Sequence, residues 1–212
     1  MSDTPLVSII IPTFNCERYI DSTIACLLAQ SYKNIEIIVI DDGSTDRTAA
    51  MVKAYPSPVR LIQQNNSGVC RARNHGLSIA RGDFICFMDH DDYWFPDKLT
   101  EQINTLAEHP EAGIVYSSFI NWQESADGTH ADPASFSLDS YGTGIDAAFS
   151  GWIYHQLLLD CWMLTSTAMF RRSVLTTCGT FDESLPYSED WDLWLRISRE
   201  HQFIKLKRPN TL

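Results

Sequence analysis

Three carboxylates, Asp89, Asp91 and Asp92, fall within four positions in "ICFMDHDDYW", directly after an apolar run. Acids at this spacing suit a hard divalent cation, because Mg2+ and Mn2+ commonly take one or two protein carboxylates together with substrate phosphates. Helix capping and solvation would explain one such acid ahead of Pro96; three like charges repel, and capping leaves them uncompensated. His90, between them, reads as a spacer rather than a ligand. A second pair, Asp41 and Asp42, opens "DDGSTD". Turn chemistry explains Gly43, Ser44 and one aspartate; contact with a base or ribose explains the second equally well. "EDWD" adds Glu189, Asp190 and Asp192 at a helix start, where the dipole favours one or two acids. A general base beside a cation-bound substrate would be a carboxylate, since no His or Lys holds a comparable position. Arg71 and Arg73 either offset a diphosphate's charge or solvate a helix face.

These residues need elements to position them. "LVSIIIPTFN" is a β-branched run closed by proline, which predicts a strand over Val7 to Ile11 buried on both faces. Tyr19, Ile20, Ile24, Leu27 and Leu28 recur at helical spacing, with Asn15 as the expected cap. "IEIIVIDDGSTD" predicts a strand from Glu36 to Ile40, then a helix capped by Ser44 with Asp46 in its first turn. "VRLIQQ" is a third strand. The helix after it carries a stripe of Val69, Ala72, Gly76, Leu77 and Ala80, and Gly82 is its expected stop. The strand of "ICFM" precedes a helix from about Pro96 with Leu99, Ile103 and Leu106 inward. "AGIVYSS" is a fifth strand. Alternation of this kind over 6–118 predicts an open parallel α/β sheet, in which ligands gather beyond the carboxyl ends of the strands. All five strand-end aspartates should therefore meet in one crevice.

Residues 119–150 turn polar and lose periodicity, long for a structureless connection. "WIYHQLLLDCWM" predicts a short amphipathic helix and "TSTAMFRR" a strand. "EDWDLWLRISRE" predicts a helix with Trp191, Leu195 and Ile197 or Trp194 inward, and "IKLKRPNTL" begins a last strand.

Composition narrows the function. The chain has 212 residues, 44% of them apolar, which suits one domain with a sizeable core. A net charge of −11 argues against nucleic acid or an anionic membrane surface as the main partner. No apolar stretch reaches membrane-spanning length and no basic region precedes the first apolar run, so neither a transmembrane segment nor a signal peptide is expected. Six cysteines without a C-x-x-C pair read as free thiols in a reducing compartment. The expected location is cytoplasmic.

Four stretches in order, "VSIIIPTFNCERYIDSTIACLLAQSY", "IEIIVIDDGSTDRT", "NSGVCRARNHGLSIARGDFICFMDHDDYWFPDKL" and "YSEDWDLWLRI", resemble the family 2 glycosyltransferases, inverting enzymes of the GT-A fold. The resemblance covers about residues 6–110 and 165–200. It implies a Rossmann-like, open, twisted, mostly parallel sheet flanked by helices, formed by one domain over 1–212. Residues 1–118 would be the nucleotide-binding half and 119–212 the acceptor-binding half, with the C-terminus shortened relative to the family. It further implies that Pro12, Thr13 and Asn15 line a nucleotide pocket, that Asp42 with Asp41 meets base and ribose, and that Gly68 and Arg73 approach the nucleotide. Asp89, Asp91 and Asp92 match the family's DxD element: Asp89 and Asp91 would contact the donor, and Asp91 and Asp92 would hold Mn2+ or Mg2+. Asp190, with Glu189 beside it, is similar to the family's catalytic base. His90 departs from the family, where small residues are commoner. The implied partners are a nucleotide-sugar donor, with UDP-sugars the commonest, and a carbohydrate or lipid-linked acceptor in cell-surface polysaccharide or glycoconjugate synthesis. Peripheral association with the inner face of a membrane stays open.

Two other readings compete. A nucleotidyltransferase or phosphatase could use the same acids, but the first would be expected to carry a glycine-rich basic loop after strand one, and "PTFNCERY" has no glycine. A phosphatase would need its acid pair after the first strand. A non-catalytic nucleotide-sugar-binding domain would not need Glu189 and Asp190, though acids at helix starts also serve structure. Trp122, Tyr141, Trp152, Tyr154 and Trp162, in or beside the aperiodic stretch, could stack on a sugar or pack in the core.

Overall fold

The computed structural model describes residues 4–125 and 129–212. One seven-stranded sheet organises them. Its strands are β1 (Val7–Thr13), β2 (Ile35–Asp41), β3 (Val59–Gln63), β4 (Phe84–Phe87), β5 (Ala112–Phe119), β6 (Met169–Arg171) and β7 (Gln202–Thr211), in the order β3-β2-β1-β4-β6-β5-β7. All run parallel except β6, which lies antiparallel between β4 and β5. The helices are α1 (Ile20–Leu28), α2 (Thr48–Lys53), α3 (Val69–Ile79), α4 (Lys98–Glu108), α5 (Tyr154–Leu157), α6 (Val174–Cys178) and α7 (Glu189–Glu200).

Side chains alternate across a strand, so β1 feeds two cores. Val7, Ile9 and Ile11 pack with Ile20, Ile24 and Leu27 of α1 and with Leu99, Ile103 and Leu106 of α4. Ile10 packs on the other face with Ala72 and Leu77 of α3 and with Leu193, Trp194 and Ile197 of α7. The expected stripe on α3 is therefore inward except for Val69, which is 41% exposed. On α7 the inward residues are Leu193, Trp194 and Ile197, while Trp191 and Leu195 are only half-buried. A Cβ on Gly76 would lie 2.4 Å from Ile10, so glycine is what lets α3 sit close on β1.

Several boundaries differ from the expectation for physical reasons. β1 continues through Pro12 to Thr13. The Ile10 carbonyl accepts from Met88 N–H on the β4 side. Pro12 faces the same side beyond the end of β4, where its missing N–H costs no ladder bond. Asn15 does not cap α1; it has φ 50, and its side chain accepts from Thr45 N–H at 2.8 Å. Ser44 likewise does not cap α2 but accepts from Asn15 N–H at 2.9 Å, and Asp46 takes the Thr48 N–H. Gly82 is no helix stop, since α3 ends at Ile79; its N–H donates to Ser8 Oγ, with no room for a Cβ. The predicted helix near 152–163 shortens to the four residues of α5. The aperiodic stretch contributes short 3-10 turns at Pro133–Ser135 and Ala147–Phe149, and is tied to β7 by isolated bridges at Ile145 and Gly151. The six cysteines are free.

Candidate active site

The carboxyl ends of β1, β2 and β4 open on a cavity of about 370 Å³, lined by Pro12, Thr13, Asp42, Arg73, Asp89 and Asp91 among others. Phe14, Val69, Ala72, His90 and Glu189 complete its walls. Seven of the residues singled out in the sequence thus meet in one hollow: the six named first and Glu189. Asn15, Asp41, Gly68, Asp92 and Asp190 are not part of its lining.

Asp42 is 5% exposed and well supplied with donors. Its Oδ1 accepts from Gln64 Nε2 at 2.7 Å and Ser67 N–H at 2.9 Å, and its Oδ2 accepts from Gly68 N–H at 2.8 Å. A carboxylate offers about four acceptor positions, so one remains for a ligand. Gly68 therefore acts through Asp42 and through φ 93, which turns the chain into α3. Asp41 is fully buried and turned into the loop, accepting from Ser44 N–H and Gln63 Nε2, each at 3.1 Å.

Arg73 ties two parts of the site together. It donates to Glu189 Oε1 at 2.6 Å and to Asp89 Oδ1 at 2.9 Å, with only 4% of its surface exposed. Burial alone would lower the guanidinium's affinity for its proton; Asp89 and Glu189 outweigh it and raise the pKa above the ordinary arginine value. Asp190, next along α7, accepts from Thr165 Oγ1 at 3.3 Å and from Trp191 N–H at 2.7 Å.

Asp91 and Asp92 have no cationic partner among the described residues. Burial, with Asp89 and Asp91 adding repulsion, pushes the Asp92 carboxyl up to about 7 against a hydrogen bond from Ser166 that pulls it down. Among the described residues no three His, Cys, Asp or Glu are arranged to hold a metal by themselves. A pair of uncompensated acids beside a cavity still fits a cation that completes its shell with substrate phosphates and water. Both acids also line a second cavity of about 300 Å³, with Tyr19, Trp122, His130 and Leu164.

The family model for glycosyl transferase family 2 matches residues 8–176. The chain belongs to glycosyltransferase family 2. This family 2 chain is 34% identical over 205 residues to an uncharacterized glycosyltransferase of Rickettsia typhi, covering 92% of itself and 59% of that protein. It thus spans somewhat over half of that relative's length. To the UDP-Glc:alpha-D-GlcNAc-diphosphoundecaprenol beta-1,3-glucosyltransferase WfaP of Escherichia coli it is 35% identical over 196 residues, covering 91% of itself and 70% of the relative. Staphylococcus aureus TarS 1–349, solved with UDP-GlcNAc, superposes with a TM-score of 0.74 at 23% identity, over 97% of this chain and 57% of that one. The mannosyltransferase PcManGT of Pyrobaculum calidifontis, solved with GDP-Man and Mn2+, gives a TM-score of 0.69 at 22% identity, over 96% of this chain and 55% of that one. These superpositions bear out the GT-A fold.

The sequence reading missed the contribution of "TST". Ser166 reaches Asp89 and Asp92, and Thr165 reaches Asp190. Nothing in the spacing of that tripeptide signals a partner so far away in the chain.

Proposed function

We propose that this glycosyltransferase chain moves a sugar from a UDP-sugar to a hydroxyl of a carbohydrate or lipid-linked acceptor, with inversion and with a divalent cation. One observation carries the reading: Asp42, Arg73, Asp89, Asp91 and Glu189, from separate elements, open on the same cavity. The uridine preference is supported by the open acceptor position on Asp42, which suits an imide N–H, and by the UDP-Glc donor in the name of the Escherichia coli relative. Pro12, Thr13 and Asp89 with Asp91 would hold base, ribose and diphosphate, while Asn15, Asp41 and Gly68 shape the loops around them. On this reading residues 1–118 serve the nucleotide and 119–212 the acceptor. No described helix is long and apolar enough to cross a membrane. Our reading has a lipid-linked acceptor met at the inner face of the membrane.

Asp91 and Asp92 are the residues that would hold Mn2+ or Mg2+. A cation bound there supplies electrostatic relief for the charge that builds on the leaving diphosphate. On this reading the base comes from the first turn of α7, which carries three acids; Asp192 is paired with Arg196 at 2.8 Å, and the other two differ. Glu189 is held in an ion pair with the buried Arg73 guanidinium at 2.6 Å, so its Oε1 is already engaged. Among the described residues Asp190 accepts only from neutral groups, Thr165 Oγ1 and Trp191 N–H, so on this reading Asp190 takes the acceptor hydroxyl's proton. The hydroxyl oxygen bonds to the anomeric carbon as that carbon's bond to the diphosphate oxygen breaks, and the nucleoside diphosphate leaves from the opposite face.

Asp190→Asn tests this. The expected result is a fall in turnover of about 10²- to 10⁴-fold, the usual contribution of a positioned base, with donor affinity nearly intact. Near-wild-type turnover would remove Asp190 from the role. Release of pyrophosphate instead of UDP from the wild-type protein would favour nucleotidyl transfer.

A further inference from the structure

Thr165, Ser166 and Thr167 form one 3-10 turn ahead of β6, and each is at most 4% exposed. Three consecutive buried hydroxyls are costly unless partnered. Their partners divide by direction. Towards the site, Thr165 Oγ1 donates to Asp190 Oδ2 at 3.3 Å. Ser166 Oγ accepts from Asp89 N–H at 3.0 Å and stands beside the Asp92 carboxyl, whose pKa it pulls down. Towards the interior, the Thr167 carbonyl accepts from Lys98 Nζ at 3.1 Å and from Gln102 Nε2 at 2.7 Å. Lys98 also donates to Gln102 Oε1 at 2.7 Å, lies 4.4 Å from the centre of the Trp94 ring and is fully buried. The Ser166 carbonyl accepts from Thr211 Oγ1 at 3.4 Å, which ties the turn to β7.

A buried ammonium with no salt-bridge partner among the described residues needs a use that offsets its desolvation. Here it holds one carbonyl in place. That carbonyl belongs to the turn whose two preceding hydroxyls touch Asp190 on one side and Asp89 and Asp92 on the other. The hydroxyl-bearing residues are joined by a single planar peptide bond, so their separation is set by covalent geometry. We propose that this turn positions the base relative to the donor-binding acids: Thr165 is the positioning residue for Asp190, Ser166 is the positioning residue for Asp89 and Asp92, and Lys98 with Gln102 is the anchor. The proposal rests on the reading of Asp190 as the base. It assigns roles to residues between the two sites rather than within either.

Two variants separate positioning from mere stability. Thr165→Val keeps the shape and removes the hydroxyl; turnover should fall about 10- to 100-fold, the scale expected when a reacting group shifts by about 1 Å. The KM for the UDP-sugar should stay within about twofold, and Thr165→Ser should recover most of the turnover. Ser166→Ala should show the opposite split, with UDP–Mn2+ binding weakened about tenfold by calorimetry. Concentrations are taken as the fraction of protein that binds UDP, so a loss of folded material does not register as a loss of turnover. Variants that only melt earlier, with turnover and affinity per folded molecule unchanged, overturn the proposal. Wild-type protein that releases UDP while Thr165→Val matches it overturns the positioning role alone. Wild-type protein that turns over no nucleotide-sugar overturns the functional reading, and this proposal with it.

Discussion

Strands β2 and β4 both end in paired aspartates, and the two ends are completed differently. At the β2 end every carboxylate oxygen of Asp41 and Asp42 has a donor, three of the five being backbone N–H groups of neighbouring loops. At the β4 end Asp89 is paired with Arg73, whereas Asp91 and Asp92 meet no cationic side chain among the described residues and Asp92 is pushed up to about 7. An end whose charge is satisfied by the fold is rigid and can present one remaining acceptor position to a ligand. An end whose charge is left over favours a ligand that brings the missing positive charge. The same residue type therefore serves recognition at one strand and cation capture at the other.

The sharpest way to break this contrast is to neutralise the unsatisfied end. Asp91→Asn combined with Asp92→Asn should remove the dependence on Mn2+ or Mg2+ and lower turnover by at least about 100-fold, since even outer partners of a metal cost about 10- to 100-fold when lost. The folded protein should be no less stable, because two repelling carboxylates are gone. Retained cation-dependent turnover in the double variant would place the cation elsewhere.

Titration sharpens the same contrast with a smaller effect. A carboxyl raised from 3.8 to about 7 is protonated in the folded protein below neutrality. Between those values the folded state binds more protons than the unfolded one, so in the absence of a cation this group's contribution to stability falls as pH rises from about 4 to 7. Cation binding needs the deprotonated form. Affinity for Mn2+ should therefore be level above about pH 7 and fall by up to about tenfold for each pH unit below it. Calorimetry across pH 5.5–8 checks this, and an affinity flat through the range would deny Asp92 a place at the cation.

What could be read from the residues alone divides along the same line. The donors that complete the β2 end lie within 26 residues of it, in the turn after β2, at the end of β3 and at the start of α3. The β4 end draws on Ser166, 77 residues away, and Arg73 reaches across 116 residues to Glu189. Hydrophobic periodicity carries local structure and says nothing about such pairings. The alternation of elements through β5 was legible because two-faced β-branched runs and amphipathic helices leave a periodic trace. The strand in "TSTAMFRR" was legible as well, but not its antiparallel insertion between β4 and β5, because strand order and direction leave no periodic trace.

Within the satisfied end, Asp41 and Asp42 should still part company. In Asp41→Asn the new amide faces Gln63, whose own amide can rotate to offer its oxygen, and Oδ1 keeps the Ser44 N–H. The cost should be about 0.5–1.5 kcal/mol, which moves Tm by about 2–4 °C per kcal/mol in a chain of this size, with donor KM within about twofold. In Asp42→Asn the amide nitrogen meets either Gly68 N–H or the Ser67 and Gln64 donors. A backbone N–H cannot rotate away, and an unpaired buried donor costs about 1–3 kcal/mol. Tm should fall further than in Asp41→Asn, and donor affinity should fall with it because the open acceptor position lies on the same carboxylate. Equal losses of affinity in the two variants would mean that the Asp42 carboxylate serves the loop alone, and the recognition role of the β2 end would then have to pass to backbone groups of β1.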